Sequence, residues 1–328
     1  MAKKKLTENR LSVVEVERRK KRVTLLIYIA LAAATFVAYE PIRHNGFVGY
    51  DDTEYIVKNP HITGGITQQS VTWAFTRPYA SNWHPLTWIS HILDYQVFGL
   101  NPFGHHLVSV AFHIVNAMLL FWVLTDITGA TWASAFVAAV FAVHPVQVES
   151  VAWAAERKTV LSGLFWLLTM AAYVRYTRQP VFGRYILVLL VFGLCIMTKP
   201  IVVTLPLVLL LLDYWPLERV RWGQSVGAAS KSAKWLIVEK IPLLAMSVFL
   251  SVMTKMSIGK NRLRILMQKL TEKNDVILVI ESQTKTYKRK IKNDQYRDAP
   301  HERSGWLSNP PPARNFDLGK QILDGRTQ

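Results

Sequence analysis

The chain has 328 residues, 51% of them hydrophobic, with a mean hydropathy of +0.17. The apolar residues come in blocks, which excludes an ordinary water-soluble domain and indicates a multispan membrane protein. The formal net charge of +17 is concentrated at the two ends, which argues for membrane anchoring and against a nucleic-acid-binding face, so no nucleic-acid partner is expected.

Residues 1–22 hold nine Lys/Arg and three acids and read as a basic cytoplasmic tail. Val23 to Tyr39 is the first span. It has no small-x-small cleavage site, so it reads as an uncleaved signal anchor. Residues 40–104 form the first outer loop. Within it, Gly49-Tyr50-Asp51-Asp52-Thr53-Glu54-Tyr55 places three carboxylates among tyrosines where the chain first meets water. Asp51 and Asp52 can act there as general base and partner, or hold Mg2+ or Mn2+, or simply be a solvated acidic loop. Pro85 to Phe98 sets Leu86, Ile89, Leu93 and Val97 on one helical face, with His84, Ser90, His91 and Asp94 elsewhere. With Pro85 in the first turn, this predicts an amphipathic helix lying on the outer surface. Trp73, Trp83, Trp88 and Tyr95 are expected at the membrane interface.

His105 to Leu124 is the second span and Ala130 to Val143 the third, joined by a short inner turn. Val146 to Lys158 reads as a short outer helix with Glu149, Trp153 and Glu156 on one face. Val160 to Tyr173 returns to the inside. Tyr185 to Thr198 and Ile201 to Leu212 form a hairpin with Lys199-Pro200 at the outer surface. That hairpin lies between the arginines of 175–184 and the Arg219, Arg221, Lys231 and Lys234 group. Asp213 ends a helix, and Trp235 to Thr254 is a seventh apolar segment. The fold class is therefore all-α, a polytopic transmembrane helix bundle with an outer amphipathic juxtamembrane helix. The membrane domain covers 23–254, with about seven spans.

Residues 255–328 are a basic, polar tail holding sixteen Lys/Arg against eight acids. Val276 to Ile280 is a candidate strand, and most of the tail reads as poorly structured. Cys195, the only cysteine, lies in an apolar run, so neither a disulfide framework nor a thiolate metal centre is expected. His106 and His113 share a helical face, but no zinc motif surrounds them.

The ionisable groups near apolar spans gather on one side of this topology. They include Asp51, Asp52, His84, His91, Asp94, His105, His106, Glu149, Glu156, Arg157, Lys158 and Lys199. Acids on one face can serve an acceptor, and cations there a leaving phosphate. Each has a plainer reading: Glu156-Arg157-Lys158 as a helix-end salt-bridge cluster, His105-His106 as an interface marker.

Asp51-Asp52-Thr53-Glu54-Tyr55-Ile56, Asn82-Trp83-His84-Pro85-Leu86-Thr87-Trp88 and Gly99-Leu100-Asn101-Pro102-Phe103-Gly104-His105-His106 follow in order. His144-Pro145-Val146-Gln147-Val148-Glu149, Glu156-Arg157-Lys158, Lys199-Pro200 and Asp213-Tyr214-Trp215-Pro216-Leu217 complete the set. Together they resemble the membrane half of the transmembrane and tetratricopeptide-repeat proteins, which are similar to protein O-mannosyltransferases of the C-type membrane glycosyltransferase superfamily. The resemblance covers about residues 23–250. It implies transfer of a sugar, mannose for instance, from a polyprenyl-phosphate carrier to a protein Ser/Thr hydroxyl on the outer or luminal side. It implies Asp51 and Asp52 as the catalytic pair, and Arg157, Lys158 and Lys199 on the departing lipid phosphate. His105 and His106 contact donor or acceptor, with His84, Glu149 and Glu156 as further substrate-binding candidates.

The tail shows no 34-residue repeat, so truncation, frameshift or fusion after about residue 253 is expected. The competing reading is a non-catalytic membrane scaffold or inactive family member. A transporter is disfavoured by the apolar centres of the spans. The absence of Asn-x-Ser/Thr sequons and the wording of the motifs point to a bacterial inner membrane, with the amino terminus cytoplasmic.

Overall fold

The computed structural model describes residues 2–80, 82–219 and 234–255, with backbone alone for 2–13. Arg221, Lys231, the candidate strand at 276–280 and the rest of the basic tail from 256 onward lie outside the described residues. The described chain is helical, with only a single isolated bridge, Tyr79 to Asn82. Its helices are α1 (Ala2–Ala38), α2 (Pro60–Thr63), α3 (Gln68–Thr76), α4 (Pro85–Phe98), α5 (Pro102–Thr128) and α6 (Thr131–Val143). They continue as α7 (Gln147–Ala152), α8 (Arg157–Arg178), α9 (Phe182–Ile196), α10 (Leu205–Tyr214) and α11 (Lys234–Lys255).

Three helical stretches are long and apolar enough to cross a bilayer: Val14–Ala38, Pro102–Thr128 and Lys234–Lys255. Thr131–Val143, Phe182–Ile196 and Pro200–Tyr214 are shorter apolar helices. The protein is an all-α membrane helix bundle. Large apolar side chains are exposed on many of these helices, as at Leu26, Phe136, Leu190 and Val248. Such surface is costly in water and suits lipid.

The main core joins α5, α8, α9, α10 and α11 through Val123, Tyr173, Phe192, Leu205, Leu209 and Leu243, all almost fully buried. α1 packs on α5 and α6 through Leu31, Phe121 and Ala138. At one end of the bundle a second apolar cluster forms from the first outer loop. Trp88 sits at its centre, with Tyr55, Ile56, Ile62 and Trp73 around it. Trp73 and Trp88 are thus buried within the loop and do not line a lipid interface. Packing ring on ring, at 5.5 Å between the two indoles and 4.8 Å between Trp88 and Tyr55, buries more apolar area than an interface would.

Local sequence sets the positions of α4 and α5. α4 starts with Pro85 in its first turn and is stopped by Gly99, whose φ of +60° and ψ of −137° are open only to glycine. Asn101 then caps α5 by accepting the Phe103 N–H, with Pro102 in the first turn. Gly104 lies so close to Phe98 that a Cβ there would meet that ring at 2.2 Å. α4 carries its polar stripe inward. Thr87, Ser90, His91 and Asp94 are buried, while Leu93 and Val97 are 48% and 70% exposed. The helix thus turns an apolar face outward and its polar stripe to the protein, the orientation of an amphipathic helix at a membrane surface.

The helix expected over Val146 to Lys158 is broken. α7 ends at Ala152, Trp153 is extended (φ −99°, ψ 120°), and a short 3-10 turn Ala154–Glu156 precedes α8. Glu149 and Glu156 therefore do not share a helix face. The break frees the Ala155 N–H from helical bonding, and a side chain from another segment takes it.

At the far end of the bundle, Asp213 of α10 is buried between Arg219 (3.0 Å) and Lys240 (2.8 Å), both of which also pair with Glu239 of α11. The Tyr173 hydroxyl joins the same network. This is where the polar residues of the seventh apolar segment go: they fasten α11 to α8 and α10.

Candidate active site

Asp52 is fully buried. Its Oδ2 accepts the Val48 N–H at 2.8 Å, and its Oδ1 accepts the freed Ala155 N–H at 2.7 Å. One carboxylate thus ties the loop between α1 and α4 to the turn that launches α8. Burial raises its pKa, and the two backbone donors oppose that rise. Because both oxygens turn to backbone N–H groups, Asp51 and Asp52 do not present two free carboxylates to one ion. The residues do not fit a divalent cation held by that pair.

Asp51 is half-buried and has no hydrogen-bond partner among the described residues. It lies beside Tyr55. Burial holds the Tyr55 phenol well above the ordinary tyrosine range, and the charges of Asp51 and Glu156 add to the effect. The Tyr55 hydroxyl is fixed by an N–H from the Asn82 side chain at 3.1 Å.

A cation faces the same ring, and a second is joined to it through Glu156. Lys158 Nζ stands 4.9 Å from the Tyr55 ring centroid and 2.8 Å from Glu156 Oε1. Lys199 Nζ reaches Glu156 Oε2 at 3.3 Å and Thr159 Oγ1 at 2.6 Å. The Thr159 hydroxyl donates to Glu156 at 2.6 Å. Burial would raise the Glu156 carboxyl, but the hydrogen bonds from Lys158 and Thr159 and the two ammonium charges hold it below its usual range. The three charged side chains keep 13%, 16% and 27% exposure for Lys158, Glu156 and Lys199. One carboxylate between two ammonium groups leaves an excess positive charge open to a ligand.

Lys199 arrives from the end of α9 because the start of α4 is stitched to that turn. Leu86 N–H donates to the Met197 carbonyl at 3.1 Å, and the Thr87 hydroxyl donates to the Thr198 carbonyl at 3.0 Å. His84 is packed between Tyr55 and Trp88 in the same place. Burial, reinforced by the Lys158 charge, pushes its pKa down to about 3, so this imidazole is neutral.

Arg157 lies one layer deeper and is fully buried. Its Nη2 pairs with Asp94 at 2.7 Å, its Nε donates to Ser109 at 2.8 Å and its Nη1 to Ser90 at 3.0 Å. Nη2 also donates to the His105 carbonyl. All three nitrogens are thus engaged inside the protein, and the guanidinium clamps α8 to α4 and α5. His105 and His106 are also buried, with ring nitrogens on the Gly99 and Gly46 carbonyls. His113 is turned away from them, to the Ala142 carbonyl at 3.0 Å. Glu149 is exposed on α7 and makes no side-chain bond to the cluster among the described residues.

The structure thus groups Asp51, Glu156, Lys158 and His84 about Tyr55, with Lys199 joined through Glu156, Asp52, Arg157, His105 and His106 behind them, and Glu149 apart. Tyr55 and Thr159 were not singled out from sequence, though Tyr55 sits inside the acidic motif and Thr159 directly follows Glu156-Arg157-Lys158. A cavity of about 230 Å3 opens beside Thr159, lined by Gly163, Trp166, Ile201 and Val202.

Against known proteins, the chain is 30% identical over 180 residues to the protein O-mannosyl-transferase Tmtc1 of Drosophila melanogaster, which is 53% of this chain and 21% of that protein. It is 31% identical over 154 residues to Tmtc2 of the same fly, 44% of this chain and 16% of that one. Human TMTC1 matches at 30% over 220 residues, 60% of this chain and 24% of that protein. Over the matching part, the chain is similar to these TMTC O-mannosyl-transferases. It spans about a fifth of the length of these TMTC relatives. No family model and no solved structure matches it.

Proposed function

We propose that this chain is a membrane glycosyltransferase that moves a sugar, mannose by its kinship, from a polyprenyl-phosphate carrier to a Ser/Thr hydroxyl of a protein. The observation that carries the reading is an unpaired carboxylate, Asp51, beside the same buried tyrosine that Lys158 covers, with Lys199 joined to Lys158 through Glu156.

In this reading Asp51 accepts the proton of the acceptor hydroxyl as its oxygen bonds to the sugar's anomeric carbon. The bond from that carbon to the carrier phosphate breaks, and its electron pair stays on the phosphate oxygen. Lys158 and Lys199 neutralise the charge that develops there, with Glu156 and Thr159 holding them in place. The cavity beside Thr159 takes the first isoprene units of the carrier. Asp52, Arg157, His105 and His106 position the loops, and neutral His84 packs the floor. The exposed Glu149 stands at the outer rim, where an acceptor chain approaches.

The proposed orientation puts the lysine-rich amino end in the cytoplasm and the site on the opposite side. The seven apolar segments α1, α5, α6, α8, α9, 200–214 and α11 cross or enter the bilayer, and the host membrane is a bacterial inner membrane. Along α8, Lys158 of the site and Tyr173 of the Asp213–Glu239 network lie about 22 Å apart.

The test is transfer of labelled mannose from polyprenyl-phosphate mannose to a Ser/Thr-rich peptide by the full chain in nanodiscs. Labelled peptide is expected. No transfer from this or any other polyprenyl-phosphate sugar would overturn the reading.

A further inference from the structure

We propose that His91, Asp94 and His105 form a buried site for one divalent cation of the zinc class, in the seam between α4 and α5. One ligand atom from each lies within 4.8 Å of the other two, and all three residues are buried. His91 and Asp94, three apart, share the inward face of α4. His105 comes from the first turn of α5.

The tautomer favours ligation. His105 Nε2 lies 3.0 Å from the Gly99 carbonyl oxygen, which can only accept, so Nε2 carries the proton. The neutral ring then aims the lone pair of Nδ1 at Asp94 Oδ2, 3.5 Å away. A cation shared by the two lone pairs would relieve their repulsion, with Arg157 already on one side of the carboxylate oxygen. His91 is fully buried, and neither of its ring nitrogens has a hydrogen-bond partner among the described residues. Imidazole ligands whose other N–H is held by a backbone carbonyl, and carboxylate ligands held by a further donor, are what metal sites use. Arg157, 2.7 Å from Asp94, is that further donor.

The geometry and donor types select the ion. Tetrahedral bonds of 2.0–2.1 Å place ligand atoms about 3.3 Å apart, so the Asp94–His105 spacing of 3.5 Å fits, while His91, within 4.8 Å, closes by up to about 1.5 Å. Two imidazoles and one carboxylate suit zinc and its neighbours, whereas Mg2+ and Ca2+ prefer oxygen alone. Counting the ion as +2, Arg157 as +1 and Asp94 and Asp52 as −1 each leaves +1, which a hydroxide in the fourth position would cancel. The site is separate from the sugar-transfer groups. It locks α4 to α5 and steadies the Asp94–Arg157 pair from which α8 starts.

The experiment is titration of the full, chelator-stripped chain in nanodiscs with Co2+, followed by Zn2+. One Co2+ per chain is expected, with a tetrahedral visible band that one equivalent of Zn2+ abolishes. His91→Gln and His105→Gln should each weaken binding by more than the roughly 10–100-fold typical of an outer-shell change. His113→Gln should leave the titration unaltered. Absence of a one-to-one band in the wild type, or unchanged binding in both ligand variants, would overturn the site. Should a variant fail to insert, X-ray absorption at the zinc edge of the loaded wild type decides. Two imidazole ligands are expected, and a shell without imidazole overturns the proposal.

Discussion

Replacing Arg157 with glutamine should unfold the bundle early without touching the phosphate-facing groups. The guanidinium is fully buried and bridges Asp94, Ser90, Ser109 and the His105 carbonyl. Glutamine can reach at most part of that set and carries no charge. In the chelator-stripped chain the Asp94 carboxylate is left buried without its ion-pair partner, a loss of about 3–5 kcal/mol. At about 2–4 °C per kcal/mol, the melting midpoint should fall by roughly 10 °C. Cys195 offers the assay: it is the only cysteine, it is fully buried, and a thiol-reactive dye reports its exposure on heating. Asp94→Asn should fall similarly, and the double variant Asp94→Leu/Arg157→Met should recover much of the loss, because no lone charge remains. If Arg157→Gln melts like the wild type yet loses sugar transfer, the guanidinium contacts the donor, and assigning the phosphate to the lysines is wrong.

The other outcomes divide between chemistry and stability. Lys158→Gln and Lys199→Gln should each leave the melting midpoint within about 2 °C of wild type, since partly exposed ion pairs contribute little. They should still lower kcat/KM by at least about tenfold for the lipid-linked donor in the nanodisc transfer assay. Asp52→Ala strips one buried and one partly buried backbone N–H of their acceptor and should cost about 2–4 kcal/mol, read by the same Cys195 melt. His84 gives a pH dependence. Its folded pKa of about 3 lies below the unfolded value of 6.5, so between those limits the unfolded chain binds the extra proton and stability falls as pH falls. Relative to His84→Gln, the wild type should lose about 1.4 kcal/mol per pH unit below 6.5, measured by Cys195 exposure between pH 7 and 5.

Much of the bundle could be read in the sequence because membrane helices announce themselves by apolar length. The first outer helix was legible residue for residue, since Pro85 and Gly99 mark its ends. Its inward polar stripe was visible as a pattern, but what that stripe meets was not. Ser90 and Asp94 meet Arg157 from 63 or more positions away, and no local period encodes such a contact. The break at Trp153 was missed for the same reason. Val146 to Lys158 has good helical spacing, and only the distant Asp52 carboxylate makes it worthwhile to release the Ala155 N–H. Glu239 and Lys240 looked like flaws in a span until Asp213, Arg219 and Tyr173 closed around them. The acidic pair illustrates both sides: tandem aspartates stood out at once, but which one is free and which is built into the fold needed their surroundings.

One comparison bears most directly on the claim that Asp51 is the base and Asp52 the scaffold. Mannose transfer from polyprenyl-phosphate mannose should be followed for wild type, Asp51→Asn and an Asp51→Glu rescue, each confirmed as folded by its Cys195 melt. The account predicts an unchanged melt with a loss of about 10²–10⁴-fold in kcat for the asparagine variant, partly restored by glutamate. Equal turnover by wild type and Asp51→Asn would contradict it.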